Sequence, residues 1–319
     1  MKLPVIDLHC DTILELYDNP EKGSLRKNSL CVDIGKLQAA PAKAQFFALY
    51  IDAQRPEDPL EQCLAMADLF HTELAHNQDV IRLAANAQEM NENWNKNIIS
   101  AFLTIEEGAA IKGSLANLRN FYRLGVRLMT LTWNYPNEIG FPNISPEFQT
   151  QGLTERGREV VAEMNRLGML IDVSHLSDQG FFNVAQLSHK PFLASHSNAR
   201  TITGHNRNLT DEMIRLLAEK GGVMGLNFAQ AFLGESSVSR IEDMVRHLRH
   251  IYQTGGIDVM ALGSDFDGIN PAVEVENIGQ IGKLLEAMEK AGFSEDEIEK
   301  IAWRNAERLI RDTLVPYQP

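Results

Sequence analysis

The residues best suited to chemistry fall in five short groups, each closing an apolar run. Asp7-Leu8-His9-Cys10-Asp11 ends the first run. His9 and Asp11 are two apart, so on an extended backbone both point to one face, where an imidazole and a carboxylate can hold a borderline-soft cation such as zinc. Thr104-Ile105-Glu106-Glu107-Gly108 ends the third run. Neighbours on a strand diverge, so one of Glu106 and Glu107 can face a site while the other caps a turn or meets water. Ser174-His175 and Ser195-His196-Ser197 place one histidine each after the fifth and sixth runs, and Gly263-Ser264-Asp265-Phe266-Asp267-Gly268 places a carboxylate pair after the eighth. Taken singly, each group has a structural explanation: a polar turn, a surface charge pair, a hydrogen-bonded histidine. Taken together, they form the set that two-metal hydrolysis needs, with several ligands, a carboxylate able to bridge, and a free acid/base.

These groups act together only if the fold brings strand ends to one place. Eight apolar runs, many of them β-branched or aromatic, occupy residues 4–8, 44–51, 100–105, 127–132, 169–173, 191–194, 222–227 and 259–262. Most lack polar/apolar alternation, which marks strands buried on both faces of a parallel sheet. Helical periodicity or capping signals occupy stretches between and after them, including 60–74, 154–167 behind Thr154, 210–218 behind Thr210, and 294–309 behind Ser294. This alternation predicts an α/β fold, a (β/α)8 TIM barrel of the metal-dependent hydrolase type, as a single domain over residues 1–319. An open doubly wound sheet is the competing architecture, but neither GxGxxG nor GxxxxGK[ST] occurs. Barrel enzymes build their sites at the C-terminal strand ends, where all five groups fall. The long connections 12–43 and 134–152 leave from the same end.

Ordered along the chain, the signals are His-x-Asp, Glu-x-Gly, Ser-His, Ser-His-Ser, Asn206-Arg207-Asn208 and Gly-x-Asp-Phe-Asp-Gly. This order resembles the membrane dipeptidase (renal dipeptidase) family of zinc metallopeptidases over residues 5–309, including the stretches 42–50 and 128–132. The resemblance implies two Zn2+ per chain, with His9 and Asp11 on one, His175 and His196 on the other, and Glu106 bridging them. It implies that Arg207 binds the terminal carboxylate of a small dipeptide and that Asp265 handles the proton of a metal-bridging hydroxide. Dipeptides with a C-terminal D-residue fall within the implied range. One position departs from the relatives nearest the renal enzyme, which carry a histidine there. Here Trp133, followed by Asn134, takes that substrate-contacting place, and an indole donates one hydrogen bond but cannot become cationic.

Composition narrows the alternatives. The 319 residues carry a formal net charge of −13, which disfavours nucleic-acid binding. Cys10, Cys31 and Cys63 are odd in number and far apart, which predicts no disulfide framework and a reducing, cytoplasmic setting. The N-terminus has no signal-peptide pattern and no apolar stretch is long enough for a membrane span, so no membrane partner is expected. A homodimer is compatible with the sequence. His71, His76, His189, His205, His247 and His250 mostly sit in helix-like stretches and are expected at the surface, His205 closer to the site. Two other functions compete: a binuclear amidohydrolase for N-acyl amino acids, lactones or phosphoesters, and a non-catalytic binding barrel. The latter predicts a degraded ligand set, whereas every ligand position is filled.

Overall fold

The computed structural model describes residues 3–270 and 272–315. Its centre is one parallel sheet closed into a barrel. In chain order the strands are β1 (Val5–Asp7), β2 (Ala42–Tyr50), β3 (Ile81–Leu83), β4 (Ile99–Glu106), β5 (Val126–Thr130), β6 (Leu170–Asp172), β7 (Leu193–Ala194), β8 (Val223–Leu226) and β9 (Met260–Leu262). The sheet order is β2-β1-β9-β8-β7-β6-β5-β4-β3, and β2 pairs with β4 to close an eight-stranded ring. The ninth strand, β3, adds to the lower half of β4 at Ile99–Ala101 and stands outside the ring. All eight apolar runs become ring strands, each within about two residues of its expected bounds. The short β3 escapes sequence reading because only Ile81 is buried in it.

Burial explains the missing alternation. Every residue of β4 is buried, yet its two faces serve different cores. Phe102 packs inside the barrel with Ile6, Phe46, Leu128, Leu170 and Val223, and stacks on Phe46 at 4.6 Å between ring centroids. Ala101, Leu103 and Ile105 face the surrounding helices. The period of two carries Thr104 and Glu106 up the inner face from Phe102, which delivers the Glu106 carboxylate to the barrel mouth. Leu309, Ile310 and Leu314 close the opposite end of this inner core.

The helices begin where their caps demand. Asp58 caps Pro59–His76, Thr154 caps Glu155–Leu167, and Thr210 caps Asp211–Glu219 through backbone N–H groups. The stretch expected as one helix over 294–309 is helical throughout, with Glu295–Glu299 and Asn305–Thr313 joined by a π turn at Lys300–Arg304. At the turn the Asn305 amide donates to the carbonyls of Ile257 and Met260, both at 2.8 Å, a tertiary demand that local periodicity cannot encode. His247 corrects another expectation. It is buried rather than exposed, with Nδ1 accepting from Ala199 N at 3.1 Å and Nε2 meeting Leu233 O at 3.1 Å. The three cysteines are free. Among the described residues, no helix is long and apolar enough to cross a membrane.

Candidate active site

The barrel mouth collects His9, Asp11, Glu106, His175, His196 and Asp265, all buried. Glu106 stands at the centre. Its Oε2 is 3.4 Å from His9 Nε2, while its Oε1 is 3.1 Å from His175 Nε2 and 3.4 Å from His196 Nε2. The two histidine nitrogens on the Oε1 side are 3.1 Å apart. On the Oε2 side, Asp11 Oδ1 is 3.6 Å and Asp265 Oδ1 3.8 Å from His9 Nε2. Ligands about 2.0–2.1 Å from a tetrahedral zinc stand about 3.3–3.4 Å apart, close to these separations. His9 Nε2 and Asp11 Oδ1 are buried and make no hydrogen bond, a costly state that a cation between them relieves. The donor set therefore fits metal binding at this mouth, and His9, Glu106 and His196, like His9, Asp11 and Asp265, bring their ligand atoms within 4.8 Å of one another.

The electrostatics point the same way. Burial raises Asp11 to about 6, and the neighbouring Glu106 charge pushes in the same direction. Burial, opposed by His9 and assisted by Asp11 and Glu106, raises Asp265 to about 7. Burial, with the Arg207 charge, lowers His175 to about 4. Burial also holds His196 well below the usual histidine range. Against burial, the Glu106 and Asp11 charges hold His9 well above the usual histidine range, so these crowded acids already draw positive charge into the site.

Backbone geometry aims these groups. His175 and Asp265 adopt left-handed φ values of 68° and 62°, rare for residues with a β-carbon. Glu107, at φ 95°, turns away from Glu106 and becomes a bracket. It accepts from Ala109 N at 2.7 Å, from Trp133 N at 2.8 Å and from the Asn137 amide, which ties the loop after β4 to the loop after β5. Asp267 splits from Asp265 in the same manner, accepting from Thr12 Oγ1 at 2.6 Å and Cys31 N at 2.7 Å.

A cavity of about 420 Å³ opens over the cluster. Arg207, Trp133 and Asn134 line it with Tyr50 and Phe232. The Arg207 guanidinium is buried and, among the described residues, its hydrogen bonds go to Ser197 Oγ at 3.4 Å and the His196 carbonyl at 3.2 Å, with Nε unpartnered. Burial lowers it to about 10, so it stays cationic at neutral pH. Trp133 packs edge-on against Tyr50, with ring centroids 4.9 Å apart. The Asn134 side-chain oxygen accepts from His175 Nδ1 at 3.1 Å, so this residue grips a histidine as well as lining the cavity.

The sequence profile of the membrane dipeptidases, peptidase family M19, matches residues 1–315. The chain belongs to the membrane dipeptidase family. It is a metallo-dipeptidase, a hydrolase of peptide bonds. A metallo peptidase from Rhodobacter sphaeroides, solved with a phosphinate mimic of the dipeptide L-Ala-D-Ala, superposes with a TM-score of 0.91 at 30% identity, covering 98% of this chain and all of that one. An uncharacterized dipeptidase of Schizosaccharomyces pombe is 29% identical, over 97% of this chain and 81% of its own. A protein encoded in the pqqA 5' region of Klebsiella pneumoniae is 31% identical, over 81% of this chain and 98% of its own.

Three further groups at this candidate site are not legible in the sequence. Asn227 follows β8 and donates to Asp265 Oδ2 at 2.8 Å, holding that carboxyl at the mouth. Its position at the end of an apolar run was the available signal. Phe232 lies under Arg207, the guanidinium carbon 5.3 Å from the ring centroid. Asp172 and Ser195 stand one layer below the histidines and do not line the cavity over the cluster, so only the fold reveals them.

Proposed function

We propose that this dipeptidase works on a pair of zinc ions and that dipeptides with a C-terminal D-residue are among its substrates. The observation that carries the reading is the Glu106 carboxylate, with one oxygen toward His9 and the other toward His175 and His196. His9 and Asp11 would hold one ion, His175 and His196 the other, and Glu106 both. When bound, the pair would supply a hydroxide nucleophile at neutral pH and would polarise the scissile carbonyl.

The chain's own residues do the rest. Arg207, a buried cation with its Nε unpartnered, takes the substrate's terminal carboxylate through a charge-assisted fork. Asp265, buried at the mouth and steadied by Asn227, accepts the nucleophile's proton and returns it to the leaving amine. Trp133 walls the cavity with Tyr50 and offers an indole N–H, while Asn134 fixes the ring of His175. The D-residue reading draws on the L-Ala-D-Ala mimic bound by the Rhodobacter enzyme. The barrel operates as one catalytic unit.

The test is a substrate panel on wild type and Arg207→Ala. Wild type is expected to cleave L-Ala-D-Ala and to discriminate against N-acetyl amino acids. Arg207→Ala is expected to lose about 10²-fold in kcat/KM for the free dipeptide and far less for the C-terminally amidated one, since a charge-assisted pair contributes about 1.5–3 kcal/mol. Equal losses on both substrates refute the role of Arg207. Preference for N-acetyl amino acids refutes the substrate class.

A further inference from the structure

The two histidines on the Oε1 side of Glu106 can serve as ligands only if each carries its ring proton on Nδ1 and leaves Nε2 free. For His175 the reason is already visible, because an amide oxygen at Asn134 accepts from Nδ1. For His196 the neighbour is a hydroxyl, which can donate or accept, so contact alone leaves the proton undetermined. Ser195 Oγ is 2.7 Å from His196 Nδ1.

The layer beneath resolves it. Asp172 sits at the end of β6 and is fully buried. Its Oδ1 accepts two backbone N–H groups, Ser174 at 3.0 Å and Ser195 at 2.9 Å. Its Oδ2 accepts Thr130 Oγ1 at 2.7 Å and Ser195 Oγ at 2.6 Å. With the Ser195 proton committed to Asp172, the Ser195 oxygen can only accept from His196, so His196 holds its proton on Nδ1. Ser174 Oγ accepts from His196 N at 3.2 Å, pinning the backbone of the same residue. Gly225 and Gly263 keep the strand in place: a β-carbon on either would fall 2.0 or 1.8 Å from the Ser195 carbonyl oxygen.

The geometry points to Asp172 and Ser195 as positioning residues that set the tautomer of His196 and thereby the affinity of the second metal position. This inference rests on the two-ion reading above and adds a cause for it. Neither residue touches substrate or the cavity; both act through His196. The chemistry of replacement is specific. In Asp172→Asn the two backbone N–H groups still require an acceptor, so the amide oxygen stays at the Oδ1 place and the NH2 group faces Ser195. Ser195 then accepts from that NH2 group and turns its proton to His196 Nδ1 at 2.7 Å, a nearer acceptor than Ser174 Oγ at 3.3 Å. The ring proton moves to Nε2, where it points into the metal position. In Ser195→Ala the carboxylate remains, but His196 Nδ1 loses its partner.

The experiment titrates metal-free protein with Co2+, following the ligand-field absorption, and reads the His196 tautomer by 15N-edited NMR of the ring nitrogens. Wild type is expected to take two equivalents and to show Nδ1–H. Ser195→Ala and Asp172→Asn are each expected to keep one tight equivalent and weaken the other by about 10–100-fold, the usual cost of losing a partner behind a ligand. Asp172→Asn is also expected to show Nε2–H, a change that a merely structural role would not produce. Thr130→Val, which removes a hydrogen bond to the same Asp172 oxygen without reaching the histidine, is expected to keep both equivalents. Should Asp172→Asn fail to fold, Ser195→Ala decides, because it leaves the buried carboxylate and its backbone donors in place. Two tight equivalents in both wild type and Ser195→Ala overturn the relay alone. A single equivalent in wild type overturns the two-ion reading, and the relay with it.

Discussion

Gly268 gives a sharp test of the mouth geometry. A β-carbon built there would lie 1.9 Å from Asp11 Oδ2, 3.1 Å from Asp11 Cγ and 3.0 Å from Asp265 Oδ1, whereas ordinary contact begins near 3.4 Å. The Asp11 carboxylate must therefore retreat by about 1.5 Å (3.4 − 1.9). Its backbone cannot follow, because Asp11 N donates to Phe266 O at 2.9 Å and the helix Thr12–Asp18 starts directly after it. The carboxylate has to rotate out of the place where it faces His9. A displacement of about 1 Å at a reacting centre costs about 10²-fold, so Gly268→Ala is expected to lose at least about 100-fold in kcat/KM, about 2.7 kcal/mol of transition-state stabilisation. Zinc on the His9 side should fall with it. The assay pairs kcat/KM on a dipeptide with zinc counted by plasma mass spectrometry on the same sample. Gly282→Ala, whose added carbon meets nothing within 4 Å, is the matched control. Wild-type turnover and wild-type zinc in Gly268→Ala would refute the placement of Asp11 as a ligand.

Further outcomes follow from individual contacts. Asp265→Asn is expected to keep its metal and lose at least about 10²-fold in kcat, the scale of a removed acid/base; loss of zinc instead would make Asp265 a ligand. Glu107→Gln places an amide donor against the N–H groups of Trp133, Ala109 or Asn137, and is expected to cost about 1–3 kcal/mol in urea unfolding, with an unchanged midpoint counting against its bracket role. Glu163 is lowered from 4.5 to about 2 by its bonds to Arg166 and then, against burial, Arg119. A depressed folded-state value contributes stability that is complete above 4.5 and disappears as pH falls toward 2. Glu163→Gln should therefore flatten the stability slope in that window while costing at most about 1 kcal/mol at neutral pH, since the arginines are solvent-screened; an unaltered slope would reject the pairing.

Much of this arrangement was legible in the chain because parallel strands buried on both faces leave unbroken apolar runs, and barrel chemistry sits directly after them. His9, His175, His196 and Asp265 each follow such a run by a few residues, so type and position agreed. Residue types alone left Glu106 and Glu107 open and the family resemblance chose Glu106; the fold supplies the physical reason, a φ of 95° at Glu107 that turns the second carboxylate into a loop bracket. The same holds for Asp265 against Asp267. Asn134 was read as a substrate contact from its place beside Trp133, and its bond to His175 depends on a loop conformation that no local pattern encodes. His247 was readable after all: with Met244, Leu248 and Ile251 it completes an i, i+3, i+4, i+7 stripe on the helix Ile241–Gly255, the spacing of a buried face. Asp172 lay hidden because a buried carboxylate ending an apolar run looks like any strand terminus until its four donors are in view.

The most direct measurement is anomalous diffraction at the zinc absorption edge from crystals of the zinc-loaded protein. The account predicts two peaks flanking the Glu106 carboxylate, one in reach of His9 and Asp11, the other in reach of His175 and His196. A lone peak, or density that leaves Glu106 touching no metal, would contradict it.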